Sequence, residues 1–139
     1  MTGVQTCALP IYNRGGFRSV ATTSDMGLKW TEHQSSYHAL VDPVCMGSLI
    51  KARVKVKGQS RDVLFFSNPA SVSGRINMTV RASLDLGETW LPAHQICYDE
   101  RSGYGYSCIT ALDEEHIGIL YEGIRELYFV RIPVQEIIK

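Results

Sequence analysis

Apolar and polar residues alternate most clearly from Ser48 to Val56, where Leu49, Ala52, Val54 and Val56 are set among polar neighbours. A period of two puts each set on its own face of an extended chain, so this stretch is expected to be a half-buried β-strand. Lys57-Gly58-Gln59-Ser60 then reads as a hairpin turn into a second strand, Asp62 to Ser67, which Asn68-Pro69 is expected to break. Phe17 to Thr23, Trp30 to Glu32, Ile76 to Ala82 and Trp90 to Pro92 have shorter strand character. Three further strands are expected at Tyr106 to Ala111, His116 to Tyr121 and Glu126 to Ile132. Ser35 to Met46 is mixed, carries Pro43 and reads as a loop across one face, while Val134 to Lys139 reads as a short closing helix or strand. Enrichment in Val, Ile, Tyr and Thr, with 12 Gly at turns, predicts an all-β chain forming one unit.

One signature occurs twice, 60 positions apart (Asp25 and Asp85). Thr23-Ser24-Asp25-Met26-Gly27-Leu28-Lys29-Trp30 and Ser83-Leu84-Asp85-Leu86-Gly87-Glu88-Thr89-Trp90 both fit Ser/Thr-x-Asp-x-Gly-x-x-Trp, and each follows a strand-like run. Recurrence at a fixed spacing marks a repeat architecture. The Asp carboxylate can accept bonds from turn amides, the Gly can take positive φ, and the Trp returns to the sheet with a large apolar face.

Composition narrows the function classes. The 139 residues include 14 basic and 14 acidic side chains, and this neutral balance argues against nucleic acid or an anionic membrane as a bulk electrostatic partner. The longest apolar runs, such as Ile117 to Tyr121, are too short to span a bilayer. The first eleven residues are set aside. Thr2 to Ile11 is what results from translating a common sequencing-adapter oligonucleotide, so residues 1–11 are expected to be non-native and the protein proper to begin near Tyr12. Cys7 goes with them. Cys45, Cys97 and Cys108 lack metal-ligand spacing and are expected to be buried free thiols, and the four His residues show no spacing that suggests a metal or a triad.

The paired signature resembles the Asp box of sialidases and other β-propellers, which closes the hairpin between the third and fourth strands of a blade. The second copy matches in full, while the first has Lys29 in place of the Thr before Trp. The box implies scaffold, so Asp25 and Asp85 are expected to be structural. Two segments narrow the resemblance to bacterial exo-sialidases. Leu64-Phe65-Phe66-Ser67-Asn68-Pro69 followed by Gly74-Arg75 is similar to the strand end that precedes the third arginine of the family's carboxylate-gripping triad. Gly105-Tyr106-Ser107-Cys108-Ile109-Thr110 is similar to the segment carrying the family's catalytic tyrosine, and Ile117 to Glu122 continues the match.

The resemblance implies that residues 12–139 are the C-terminal part, roughly two to three blades, of a six-bladed β-propeller. It implies an exo-α-sialidase that hydrolyses terminal α-linked sialic acid with retention, requires no cofactor or metal, takes sialylated glycans as partners, and works in the periplasm, at the cell surface or outside the cell. Tyr106 would be the nucleophile and Arg75 a ligand of the substrate carboxylate, with Glu122 structural. The residue types suit the chemistry. Sialic acid carries a carboxylate on its anomeric carbon, which repels an anionic nucleophile, whereas a phenol is neutral until a base activates it; sialidases are a known exception to the two-carboxylate pattern of glycosidases. A planar guanidinium makes paired, charge-assisted bonds to a carboxylate. The second triad arginine would fall at Ile11, with Arg14 and Arg18 as weaker candidates nearby. The first arginine, the acid/base Asp and the Glu that activates the tyrosine lie upstream in the family, so the chain alone is expected to be inactive. The alternatives are a non-catalytic Asp-box propeller that binds a glycan or protein, and a trans-sialidase using the same site.

Overall fold

The computed structural model describes residues 15–139, so the readings of residues 1–11 and of Arg14 lie outside the described residues. Among the described residues, nine strands and one short α-helix follow one another: β1 (Ala21–Thr22), β2 (Thr31–Glu32), β3 (Ser48–Val56), β4 (Gln59–Pro69), β5 (Met78–Ser83), β6 (Gln95–Asp99), β7 (Ser107–Ala111), β8 (His116–Glu122), β9 (Leu127–Pro133) and α1 (Val134–Ile137). They form three antiparallel sheets, β1-β2, β3-β4-β5-β6 and β7-β8-β9, each a meander of sequential neighbours. The all-β fold is that of part of a β-propeller. Among the described residues no helix is long and apolar enough to cross a membrane.

The alternation at β3 does what its period predicts. Ala52 and Val54 are buried while Lys51, Arg53 and Lys55 face water. The turn into β4 is tighter than expected, because Val56 pairs with Gln59 and leaves only Lys57-Gly58 between the strands. Asn68-Pro69 does not break β4. Pairing with β3 ends at Ser48 and Ser67, whereas Pro69 pairs with Met78 of β5. Ala70 N donates to Asn77 O on the β5 side, so the donor that proline lacks would have pointed to where β3 has already ended. Three other expectations also fail, the first being burial of the thiols, since Cys45 is buried but Cys97 and Cys108 are exposed. Of Phe17 to Thr23 only β1 is laddered, with Phe17 bridged singly to Val41. After Trp90 the chain makes a 3-10 turn at Pro92–His94 and then adds β6, a strand the sequence pattern does not announce. Proline in a first helical turn costs no hydrogen bond and diverts the chain from extension.

The four-stranded sheet is covered on both faces, which is why residues 63–69 of β4 and all of β5 are buried. On one face Ala52, Val54, Val63, Phe65, Val80 and Ala82 pack against Ile109, Ile117, Ile119 and Ile132 of the last sheet, with Val134, Ile137 and Ile138 closing the end. On the other face Phe66 meets Trp90 edge-on, with ring centroids 6.2 Å apart, and carries the Arg18 guanidinium 5.4 Å above its ring. A buried polar chain ties that face to the segment before β3. Arg18 donates to Asp42 at 3.0 Å, Asn68 donates to Asp42 at 3.3 Å, and Arg81 donates to Asn68 at 2.8 Å. Burial draws the Arg81 guanidinium down to about 10, and Arg18 is lowered by the same cause.

The two eight-residue signatures fold alike. Asp25 accepts from Thr23 Oγ1 at 2.7 Å and Lys29 N at 2.9 Å; Asp85 accepts from Ser83 Oγ at 2.7 Å and Thr89 N at 2.9 Å. Gly27 and Gly87 have φ of +92° and +99°, and each donates its N–H back to the Thr or Ser hydroxyl. Asp85 gains one bond that Asp25 lacks, from Thr89 Oγ1 at 2.6 Å, because Lys29 replaces the threonine. These bonds hold the Asp85 carboxyl below its ordinary range despite an opposing desolvation effect. Asp85→Ala is expected to lower stability by about 1 kcal/mol, below the usual worth of bonds to a charged group because the turn is exposed. Denaturant unfolding would measure this, and an unchanged midpoint would show that the turn holds without its carboxylate.

Candidate functional site

Arg75 and Tyr106 come from different sheets' loops and meet at one end of the molecule. Arg75 sits in the loop from β4 to β5, and Tyr106 immediately precedes β7. The Arg75 guanidinium carbon lies 5.3 Å from the centre of the Tyr106 ring. This is stacking range for a cation on an aromatic face. The two loops are pinned together twice. Gly103 N donates to Arg75 O at 3.0 Å, and Arg75 Nη1 donates to Tyr104 O at 2.7 Å. One nitrogen of the guanidinium is therefore committed to the protein, and among the described residues no other side-chain bond of Arg75 is made. Tyr106 is 42% exposed, and among the described residues no side chain hydrogen-bonds its hydroxyl.

The backbone beneath the tyrosine is more constrained than its side chain. Gly105 is buried at φ +82°, and a Cβ there would stand 2.9 Å from Pro69 Cγ, 3.1 Å from Arg75 Cβ and 3.1 Å from Cys45 Sγ. Only glycine meets both demands. Glu122, at the end of β8, accepts from Tyr106 N through its carboxylate at 3.3 Å, and its own N–H donates to Tyr106 O at 3.0 Å. Sequence reasoning took Glu122 as structural, and it does brace the backbone, but that brace falls directly on the site. Arg18 is elsewhere, buried and bonded to Asp42 and to the carbonyl of Cys45. Asp25 and Asp85 are likewise remote, committed to their own turns.

Beside Arg75 and Glu122 a small hollow is also lined by Asp99, Arg101 and Tyr121. Asp99 receives Arg101 through both carboxylate oxygens, at 2.9 and 2.8 Å, and the Tyr121 hydroxyl at 3.2 Å. The bonds from Arg101 are the main reason its carboxyl is drawn down to about 2. Arg101 also covers the Tyr128 ring, which stacks on Tyr121 with centroids 5.3 Å apart. A depressed folded-state value stabilises the fold above the unfolded value of 3.8, and that contribution fades as pH falls towards about 2. Stability should therefore fall between about pH 4 and pH 2 more steeply in the native chain than in Asp99→Asn; parallel curves of denaturant midpoint against pH would refute the assignment. This cluster joins residues from β6, β8, β9 and a loop, and no local motif announces it. A separate apolar crevice of about 190 Å³, lined by Leu40, Leu64, Phe66 and Trp90 among others, touches neither Arg75 nor Tyr106. It lies between the first sheet and the four-stranded one, and Arg18 and His33 also line it.

Comparison with known proteins gives concordant results. The chain is 48% identical over 128 residues to a sialidase of Bacteroides fragilis strain YCH46, covering 91% of this chain and 24% of that protein. It is 36% identical over 121 residues to a sialidase of Micromonospora viridifaciens, covering 84% of this chain and 18% of the relative. Among solved structures it superposes on the Hadza microbial sialidase Hz136 with a TM-score of 0.82 at 44% identity, over 91% of this chain and 24% of that one. No family model matches. The chain thus spans about a quarter or less of the length of these relatives. Over about nine-tenths of its length the chain is similar in sequence and in backbone path to one segment of these sialidases.

Proposed function

We propose that this chain supplies the nucleophile and one carboxylate-binding arginine of a retaining exo-α-sialidase acting on terminal α-linked sialic acid of glycoproteins, glycolipids or oligosaccharides. The observation that carries the proposal is the approach of the Arg75 guanidinium to 5.3 Å from the Tyr106 ring, at an exposed end of the sheets. A sugar whose anomeric carbon bears its carboxylate can place that carboxylate on Arg75 and its reacting carbon over Tyr106. The Tyr106 oxygen then forms a bond to the anomeric carbon as the glycosidic bond breaks, and the leaving oxygen takes a proton from a general acid. Water displaces the tyrosine in a second inversion, so configuration is retained. The resemblance puts the general acid, and the base that takes the phenol proton, in segments upstream of the matched one, which is the reason to expect no turnover from the chain alone. The bonding of the two Ser/Thr-x-Asp turns supports reading them as Asp boxes that serve as scaffold.

Arg75 provides a test of the binding half. A charge-assisted pair to a carboxylate is worth roughly 1.5–3 kcal/mol. In the sialoside-cleaving protein that contains this chain, Arg75→Gln should weaken binding of free sialic acid by roughly 10- to 150-fold. It should leave binding of the sialic acid methyl ester, which carries no negative charge, nearly unchanged. Calorimetric titration measures both, and equal losses for acid and ester would remove Arg75 from carboxylate recognition.

A further inference from the structure

The peptide group joining Gly105 to Tyr106 is gripped from two sides by side chains far away in sequence. Its N–H donates to the Glu122 carboxylate at 3.3 Å, and its carbonyl oxygen lies 3.2 Å from the Sγ of Cys45. Cys45 is 6% exposed and stands 60 residues before Gly105. It is itself fixed from below, since its N–H donates to Asp42 Oδ1 at 3.4 Å and its carbonyl accepts from Arg18. Burial pushes the Cys45 thiol up, so at neutral pH the sulfur carries the proton that the Gly105 carbonyl can accept. The same sulfur is one of three atoms that would collide with any side chain at Gly105. A sulfur–carbonyl bond is weak alone, but here it adds to steric confinement on a peptide that has no side chain of its own to fix it.

We propose that Cys45 is a positioning residue for Tyr106: it holds the Gly105–Tyr106 peptide against Glu122 and so sets the tyrosine ring under the Arg75 guanidinium. The buried Arg18–Asp42 pair anchors this brace, which couples the segment before β3 to the site. Loss of the brace lets the peptide rotate about Gly105, the most permissive joint in the loop, and the ring leaves Arg75. The inference deepens the sialidase reading, resting on it only for its consequence for rate.

The primary test needs no turnover. In the chain itself, the face of the Tyr106 ring should shift the Arg75 side-chain protons upfield in NMR spectra. Cys45→Ala should lose that shift while the strand amides of β4, β5 and β8 keep their native positions. Cys45→Ser, which restores a donor of similar size, should retain it. An undiminished Arg75 shift in folded Cys45→Ala, or loss of the shift in Cys45→Ser as well as Cys45→Ala, would overturn the proposal. In the sialoside-cleaving protein that contains this chain, Cys45→Ala should lower kcat by about tenfold with KM little changed, and Cys45→Ser should recover it. A rise in KM with kcat intact would also overturn it. Should Tyr106 prove dispensable for hydrolysis, the sialidase reading fails while the NMR result stands by itself.

Discussion

On the proposed sialidase reading, Tyr106→Phe is expected to lower kcat for a fluorogenic sialoside by about 10³-fold or more, with KM changed only a few-fold. The substitution deletes one oxygen. The phenyl ring that remains still fills the space beneath the Arg75 guanidinium, 5.3 Å from its centre, so binding geometry is preserved while the atom that would bond to the anomeric carbon is gone. A thousandfold loss corresponds to about 4 kcal/mol of barrier, beyond what the loss of one ordinary hydrogen bond supplies. Residual activity would then come from water attacking a substrate that is still held and protonated. Stability should hardly change, because Tyr106 is well exposed and its hydroxyl braces no other described side chain. Release of the fluorophore under saturating substrate gives the answer. A kcat within tenfold of the native value would leave the tyrosine a bystander and favour a glycan-binding role for this face.

The largest effect on folding is expected at Phe65. Its ring is completely buried and lies between the four-stranded and the last sheet. In register it pairs with Ile50 on one side and Ala82 on the other. The small partner Ala82 leaves room for the ring, and truncation opens a void that rigid strands on both sides cannot close. Phe65→Ala should therefore cost about 3–5 kcal/mol, a large part of the stability of a domain this size. Thermal unfolding should show a midpoint lower by roughly 10 °C or more. Phe65→Leu, which keeps most of the volume, should cost much less. Equal effects from the two substitutions would mean that volume is not what Phe65 contributes.

Phe65 and Phe66 also show how far local pattern reaches. They are adjacent, both apolar and both buried, so alternation cannot tell which face each takes. Pairing register decides it, sending Phe65 to the shared core and Phe66 to Trp90 and Arg18. The same limit explains β4 running through Pro69. Proline reads as a break because it lacks a donor, but a donor is needed only where a partner strand is present. It explains β6 too, since Gln95–Asp99 has weak alternation and becomes a strand through pairing with β5.

The sequence by itself determined the all-β character and the doubled turn with its bonding, and its resemblance to sialidase segments singled out Arg75 and Tyr106 for the proposed site. The first two rest on interactions within a few residues. Only the tertiary structure decided that Arg75 lies over Tyr106, that Cys45 and Glu122 hold opposite sides of one peptide, and that Arg18 is buried with Asp42. Those contacts join positions from 16 to 60 residues apart. Their geometry follows from how sheets stack and strands register, which depends on the whole chain packing at once rather than on any local pattern.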